Sequence, residues 1–364
     1  MNLDACNLNF PCSFEFLGFS SFNSMASASS LILLGIINLV LVFRKKIFRY
    51  PDDRNRVTTT HGLTKLDAPK VICVLSMIAL GVFWTITSSC PQKTTIHLYV
   101  YTIVWVCLSA IMWIYSKRHG IRKWQQTYII VVSSILAVFT FSEKNLENGK
   151  YEKIVMKTLL GLFANVATAF FCFKYCYEVG YFAIEESSNA FIDFSVHRGY
   201  KNTNGLRRHC ILSKKVLAVL LMVWTLIWSV ACPFFFPYFN QTKVILRLVQ
   251  VDLLIYLVYY LAQKIRFEWK SFTIGFTLSI ITFFLAFIMS IAAWGANIAF
   301  KNPSFVAWTA ARSRTLNSSC IIPGVDWNDI LHYNSSLICI LFIFLMDYVD
   351  ANLSGVPKKL IFVF

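Results

Sequence analysis

Long apolar runs dominate this chain and restrict what it can become. A helix needs about 20 mostly apolar residues to cross a bilayer, because no water there satisfies backbone groups. Nine stretches approach that length: 20–43, 71–87, 96–115, 124–141, 154–182, 216–238, 244–264, 272–294 and 330–347. The expected fold class is therefore all-α, a polytopic integral membrane helical bundle of about nine transmembrane helices. Composition closes the other routes. Hydrophobic residues make up 57% of the chain and charged ones 14%, well below an ordinary soluble domain. A soluble enzyme could not hide that much apolar surface, and a disordered chain would not carry it.

The net charge of +16 sits on the small polar remainder. Lys and Arg accumulate in cytoplasmic loops. Loops 44–70, 117–123, 183–215, 264–270 and the tail after 347 hold 23 of them, and the alternate set holds 8. This asymmetry puts the N-terminus outside and the C-terminus in the cytosol. The first 19 residues lack a basic start and an early apolar run, so no cleavable signal peptide is expected. Three parts follow: 1–19, a short extracellular Cys-containing segment; 20–347, the membrane domain; and 348–364, a cytosolic tail. Sequons at Asn240 and Asn317 fall in outer loops and are eligible for glycosylation, whereas Asn334 and Asn352 should be silent. Cys6, Cys12, Cys90 and Cys320 also map outside, where disulfides form. Four cysteines allow three pairings, and the spacing does not choose among them.

Ionisable groups inside spans are costly and call for partners. Lys174 and Glu178 are four residues apart and can pair on one helix face. Arg247 and Asp252 are five apart, which suits contacts with other helices or a wet cavity better than a mutual pair. His332 opens the last span, with Asn328 and Ser336 one turn to either side. A catalytic zinc needs three protein ligands, and this spacing offers one imidazole. No P-loop, G-x-S-x-G or H-E-x-x-H is present. The residues alone thus predict no enzyme, no metal and no cofactor.

A series of short motifs resembles the systemic-RNA-interference-defective (SID) transmembrane family, associated with double-stranded RNA transport. It begins at Asp4-Ala5-Cys6 and Asn9-Phe10-Pro11-Cys12, then runs through Phe22-Asn23 and Ser27. Cys90-Pro91 and Lys117-Arg118-His119 follow. Asn328-Asp329-Ile330-Leu331-His332 with Ser335-Ser336, and the closing Lys358–Phe364, complete it. The resemblance implies a counterpart of the family's membrane core, without the β-rich ectodomain and first two spans of full-length members. It also links the chain to alkaline ceramidase-like hydrolases, where a Ser, an Asp and three His surround zinc. Carried over by position, that pocket is Ser27, Ser88, Tyr99, Asn328 and His332, a polar remnant with two zinc ligands and the Asp replaced.

The resemblance implies a role in double-stranded RNA uptake or transport, as a partner or modulator of a full-length member or in a homo-oligomer. A sterol- or lipid-binding protein, with cholesterol as ligand, is the alternative; a zinc hydrolase ranks third. The expected location is the plasma membrane or a lysosomal or endosomal membrane, in contact with its lipids.

Overall fold

In the computed structural model, the described residues are mainly 22–47, 67–89, 93–119, 241–268, 274–300, 320–325 and 327–353. Short pieces near Cys12–Leu17, at Gly180–Tyr181 and at 361–363, with single positions elsewhere, complete them. Six long helices result: α1 (Phe22–Ile47), α2 (Asp67–Ser89), α3 (Lys93–His119), α4 (Gln241–Glu268), α5 (Ile274–Phe300) and α6 (Trp327–Tyr348). Each coincides with one expected span. Of the other three spans, 124–141 lies outside the described residues, as do 154–182 and 216–238 apart from a few positions.

Among the described residues, four helical stretches are long and apolar enough to cross a membrane: Phe22–Arg44, Ala68–Ser89, Leu98–Arg118 and Asp329–Leu353. A shorter apolar helix covers Ile274–Met289. The helices outrun the apolar stretches that predicted them. α1 continues through Arg44, Lys45 and Lys46, because helical hydrogen bonding does not stop at a hydropathy boundary and cations suit a helix C-terminus. α2 begins with Pro69 in its first turn, where a missing N–H costs no helical bond.

The chain divides into two compact units. The first comprises Met1–Phe48, Lys70–Val106 and Phe272–Ala351. Here α6 packs against α1 and α5. Ser27 of α1 meets Asp329 of α6, and Ser30 meets Ser336, so these two helices run parallel. Gly35 approaches Ile78 and Gly81 approaches Ile32, so α1 and α2 run antiparallel. A Cβ on Gly81 would stand 2.7 Å from Ile32 Cγ1 and 3.0 Å from its backbone N; only glycine permits this crossing. Phe283 with Phe342 and Gly275 with Tyr348 set α5 antiparallel to α6. At the far end, Lys70 of α2 pairs with Asp347 of α6. Serine and threonine hydroxyls along these helices, such as Ser29 and Ser76, bond back to carbonyls three residues earlier. Each therefore meets its hydrogen-bonding need without water.

The second unit comprises Arg49–Pro69, Cys107–Ser271 and Asn352–Phe364. Its described buried apolar residues include Trp113, Ile114 and Tyr115 of α3 and Tyr256, Leu257, Tyr260 and Leu261 of α4. The tail is folded. A 3-10 turn spans Ala351–Leu353, Ile361 is buried, and strand β2 (Phe362–Val363) pairs antiparallel with β1 (Gly180–Tyr181). This two-residue ladder is the sole departure from helix among the described secondary-structure elements, apart from an isolated bridge between Ile322 and Val325.

Candidate functional site

The N-terminal ends of α1 and α6 carry polar residues at helical spacing. Asn23 and Ser27 are one turn apart on α1; Asp329 and His332 are one turn apart on α6. Parallel packing brings the two pairs together. Ser27 is 1% exposed and its Oγ lies 3.0 Å from Asp329 Oδ1 and 2.8 Å from His332 Nδ1. Asn23 Nδ2 donates to Asp329 Oδ2 at 2.8 Å. A hydroxyl has one proton to give. If it goes to the carboxylate, the imidazole must carry its proton on Nδ1 and donate to Ser27 Oγ. The Ser24 carbonyl, 3.0 Å from the same oxygen, competes for that single proton. Asp329 also sits in the first turn of α6, where the helix macrodipole favours a carboxylate.

The network extends in two directions. Outward, Asn23 Nδ2 also lies 3.3 Å from the Cys12 carbonyl, and its Oδ1 accepts from the Phe14 N–H at 3.3 Å. Cys12 is disulfide-bonded to Cys320, just upstream of α6. The covalent link and the hydrogen bonds therefore hold the same two helix ends. Inward, His332 meets Trp84 edge-on with ring centroids 4.1 Å apart, and Trp84 packs on Tyr99 at 5.3 Å. Ser30 and Ser336 share a 2.8 Å bond one turn deeper along α1 and α6.

Of the pocket residues expected from sequence, Ser27 and His332 touch directly, and Tyr99 joins through Trp84. Ser88 is half-buried on α2, one turn beyond Trp84 on the same helix face. Asn328 belongs to the first turn of α6, and its side chain lies outside the description. The carboxylate in the network is its neighbour Asp329. Asp329, Asn23 and Trp84 are the members that sequence reasoning left out of the pocket. The signal was present: Asn23 with Ser27, and Asp329 with His332, are the polar i, i+4 and i, i+3 pairs opening two apolar helices.

The chemistry of this arrangement is specific. In a hydrolytic triad the carboxylate holds the imidazole and the imidazole takes the serine proton. Here Asp329 is bonded to the serine itself. No group of three or more His, Cys, Asp or Glu able to hold a metal occurs among the described residues. The disulfide pairs Cys12 with Cys320, whereas Cys6 and Cys90 lie outside the described residues. Lys174, Glu178, Asn240 and Asn317 also lie outside them, as does the side chain of Arg247. Asp252 lies on α4 with its Oδ1 buried.

A second polar cluster occupies the other unit. Arg118, fully buried, donates to Glu268 Oε1 at 2.7 Å and to the Tyr260 hydroxyl at 3.1 Å. Lys264, also fully buried, reaches Glu268 Oε2 and, at 3.0 Å, Asn352 Oδ1. One carboxylate thus bridges two cations, and the second cation ties the tail to α4. The sequon asparagine Asn352 serves here as an acceptor for Lys264.

Apolar helices of spanning length and buried hydrogen-bonded polar clusters define an integral membrane protein of the polytopic helical class. Residues 1–364 match the family described as the dsRNA-gated channel SID-1, and the chain belongs to that family. It is 22% identical over 380 aligned positions to SID1 transmembrane family member 1 of Rattus norvegicus. That alignment covers 100% of this chain and 43% of the rat protein, so the chain spans less than half the length of this relative.

Proposed function

We propose that the chain is a nine-span membrane core taking part in double-stranded RNA uptake or transmembrane transport. Family membership over all 364 residues is the observation that carries this reading. The parallel run of α1 and α6 supports the span count. Parallel helices must be separated by an odd number of crossings. The described helices between them, α2 to α5, supply four, and the apolar stretches at 124–141, 154–182 and 216–238 add three. The N-terminus is outside, which agrees with the loop charge count and with a disulfide at the outer ends of α1 and α6. Glycan mapping should modify Asn240 or Asn317 and leave Asn352 bare; a glycan on Asn352 reverses the orientation.

The chain works with a family member that carries an ectodomain. Duplex RNA is held largely through its phosphates, and the outer loops offer only 8 Lys and Arg against 23 on the other side. We read the Ser27–Asp329–His332 network as structural: its carboxylate accepts from the serine hydroxyl, whereas a hydrolytic triad spends that bond on the imidazole. The membrane is the plasma membrane or an endosomal or lysosomal one. The test is uptake of labelled duplex RNA in cells lacking all family members. Uptake should require co-expression of a full-length relative. Robust uptake by this chain alone rejects the partner role.

A further inference from the structure

The ends of α1 and α6 that carry the polar network also carry large apolar side chains just outside the helices. Phe14, Phe16 and Leu17 precede α1, Ile321 and Ile322 precede α6, and all five are exposed. The Cys12–Cys320 disulfide joins the two segments beside them. The segment before α1 does not project away from the helix end. The Phe22 N–H donates to the Phe14 carbonyl at 3.0 Å and the Phe14 N–H to Asn23 Oδ1, so the chain folds back level with the first turn of α1. The Phe16 ring lies against that of Phe22, with centroids 4.9 Å apart. Before α6, the Ile321 N–H donates to the Val325 carbonyl and the Val325 N–H to the Ile322 carbonyl, closing a tight turn through Pro323 and Gly324. Leu17 holds a left-handed φ of 51°, which an L side chain disfavours, and is 79% exposed.

Both segments are thus fixed by their own hydrogen bonds while they present apolar side chains outward. Exposed apolar patches mark surfaces that meet a membrane or another protein. Depth and charge indicate which. α1 and α6 have spanning length from Phe22 and Asp329 onward, so their first turns lie where acyl chains meet headgroups. Phenylalanine, leucine and isoleucine are favoured at that level, and backbone groups bonded internally tolerate its scarcity of water. No Lys or Arg occurs in 12–22 or 316–329, which leaves nothing to hold the phosphates of duplex RNA or to prefer an anionic lipid. We propose that Phe14, Phe16, Leu17, Ile321 and Ile322 form a wedge that inserts into zwitterionic lipid of the leaflet where α1 and α6 begin.

The wedge rests on the reading of α1 and α6 as spans, whereas the glycan mapping reads which side they begin on. The probe is phosphatidylcholine. The full chain is placed in phosphatidylcholine nanodiscs containing a fraction of the same lipid with a photoactivatable diazirine near the top of one acyl chain. Mass spectrometry of peptides then locates the adducts. Lipid adducts are expected on both Phe14–Leu17 and Ile321–Ile322. Adducts on neither segment, or on one only, overturn the wedge. Leu17→Glu combined with Ile322→Glu should lose the adducts while the disulfide, read by gel mobility, still forms; adducts that survive overturn the proposal. Should that variant fail to form the disulfide, the adduct pattern of the unaltered chain decides alone. Phe16→p-benzoylphenylalanine, in membranes that also hold a full-length relative, separates lipid from protein. A crosslink to lipid upholds the wedge, and a crosslink to protein, or none, overturns it. Adducts on both segments together with a glycan on Asn352 keep the wedge and reverse its side. The expected glycans without adducts keep the topology and reject the wedge.

Discussion

The two buried polar clusters solve the same problem with different materials. At the junction of α1 and α6, short side chains do the bonding: Asn23, Ser27, Asp329 and His332 reach only a few atoms from their backbones. They can meet because serine and asparagine let the two helices come close, and a disulfide holds the ends together. In the second unit, Arg118, Lys264 and Glu268 meet through long side chains that are almost wholly buried. The first cluster has one carboxylate satisfied by neutral donors. The second has two full positive charges on a single carboxylate. The hydrogen-bonded junction should therefore weaken gradually as groups are removed, and the ionic cluster should fail abruptly.

The largest effect is expected at Glu268. Glu268→Gln leaves two fully buried cations without their shared anion, and breaking a buried pair costs about 3–5 kcal/mol. Size-exclusion profiles after heating should show loss of folded protein at markedly lower temperature. An unchanged midpoint would mean that the two clusters do not differ as described.

Next comes the covalent link. Cys12→Ser frees a closure spanning 308 residues, with an expected loss of about 2–4 kcal/mol. On gels, the mobility difference between reduced and non-reduced protein should shrink, and Cys320→Ser should behave identically. Different behaviour of the two variants would place one cysteine in another bond.

Asp329→Ala removes the carboxylate that Asn23 and Ser27 share and leaves them the Cys12 and Ser24 carbonyls, so the expected loss is about 1.5–3 kcal/mol, that of hydrogen bonding to a charged group. Ser27→Ala in the same background should cost less than it does alone, since its carboxylate partner is already gone and only its bonds to His332 and the Ser24 carbonyl remain to be lost. Full additivity of the two losses would show that the bond between them contributes nothing. The smallest effect belongs to Lys70→Met. Its partner Asp347 is about one-third exposed, and surface-like pairs contribute about 0.2–1 kcal/mol. A loss as large as that of Glu268→Gln would erase the contrast between a sealed ion cluster and a solvated pair.

Much of the fold was legible before any coordinates. Six of the nine apolar stretches match described helices, because hydropathy over about 20 residues reports a one-dimensional property. The pocket was legible only in part. Ser27 and His332 stood out through their motifs, but Asn328 was preferred to Asp329 because positional matching favoured a residue one turn from His332. Positions three and four residues before a helical residue both lie near its face. Which of them meets α1 depends on how α6 is rotated about its axis, and no periodicity within α6 reports that angle. Arg118 was similarly counted as a basic residue of a loop. The structure buries it completely, because Glu268, 150 residues later, supplies its anion.

What the sequence determined by itself was the medium and the elements: apolar length demands a bilayer, and helices satisfy the backbone within it. Partnership was decided only in three dimensions. Asn23 and Asp329 are 306 residues apart, and Lys264 and Asn352 are 88 apart. Helix formation is governed by neighbours three or four residues away. The choice of which polar group answers another across a helix interface depends on rotation, depth and closest approach. Those are set jointly by contacts such as the Gly35 and Gly81 crossings, where the absence of two side chains allows α1 and α2 to pack closely.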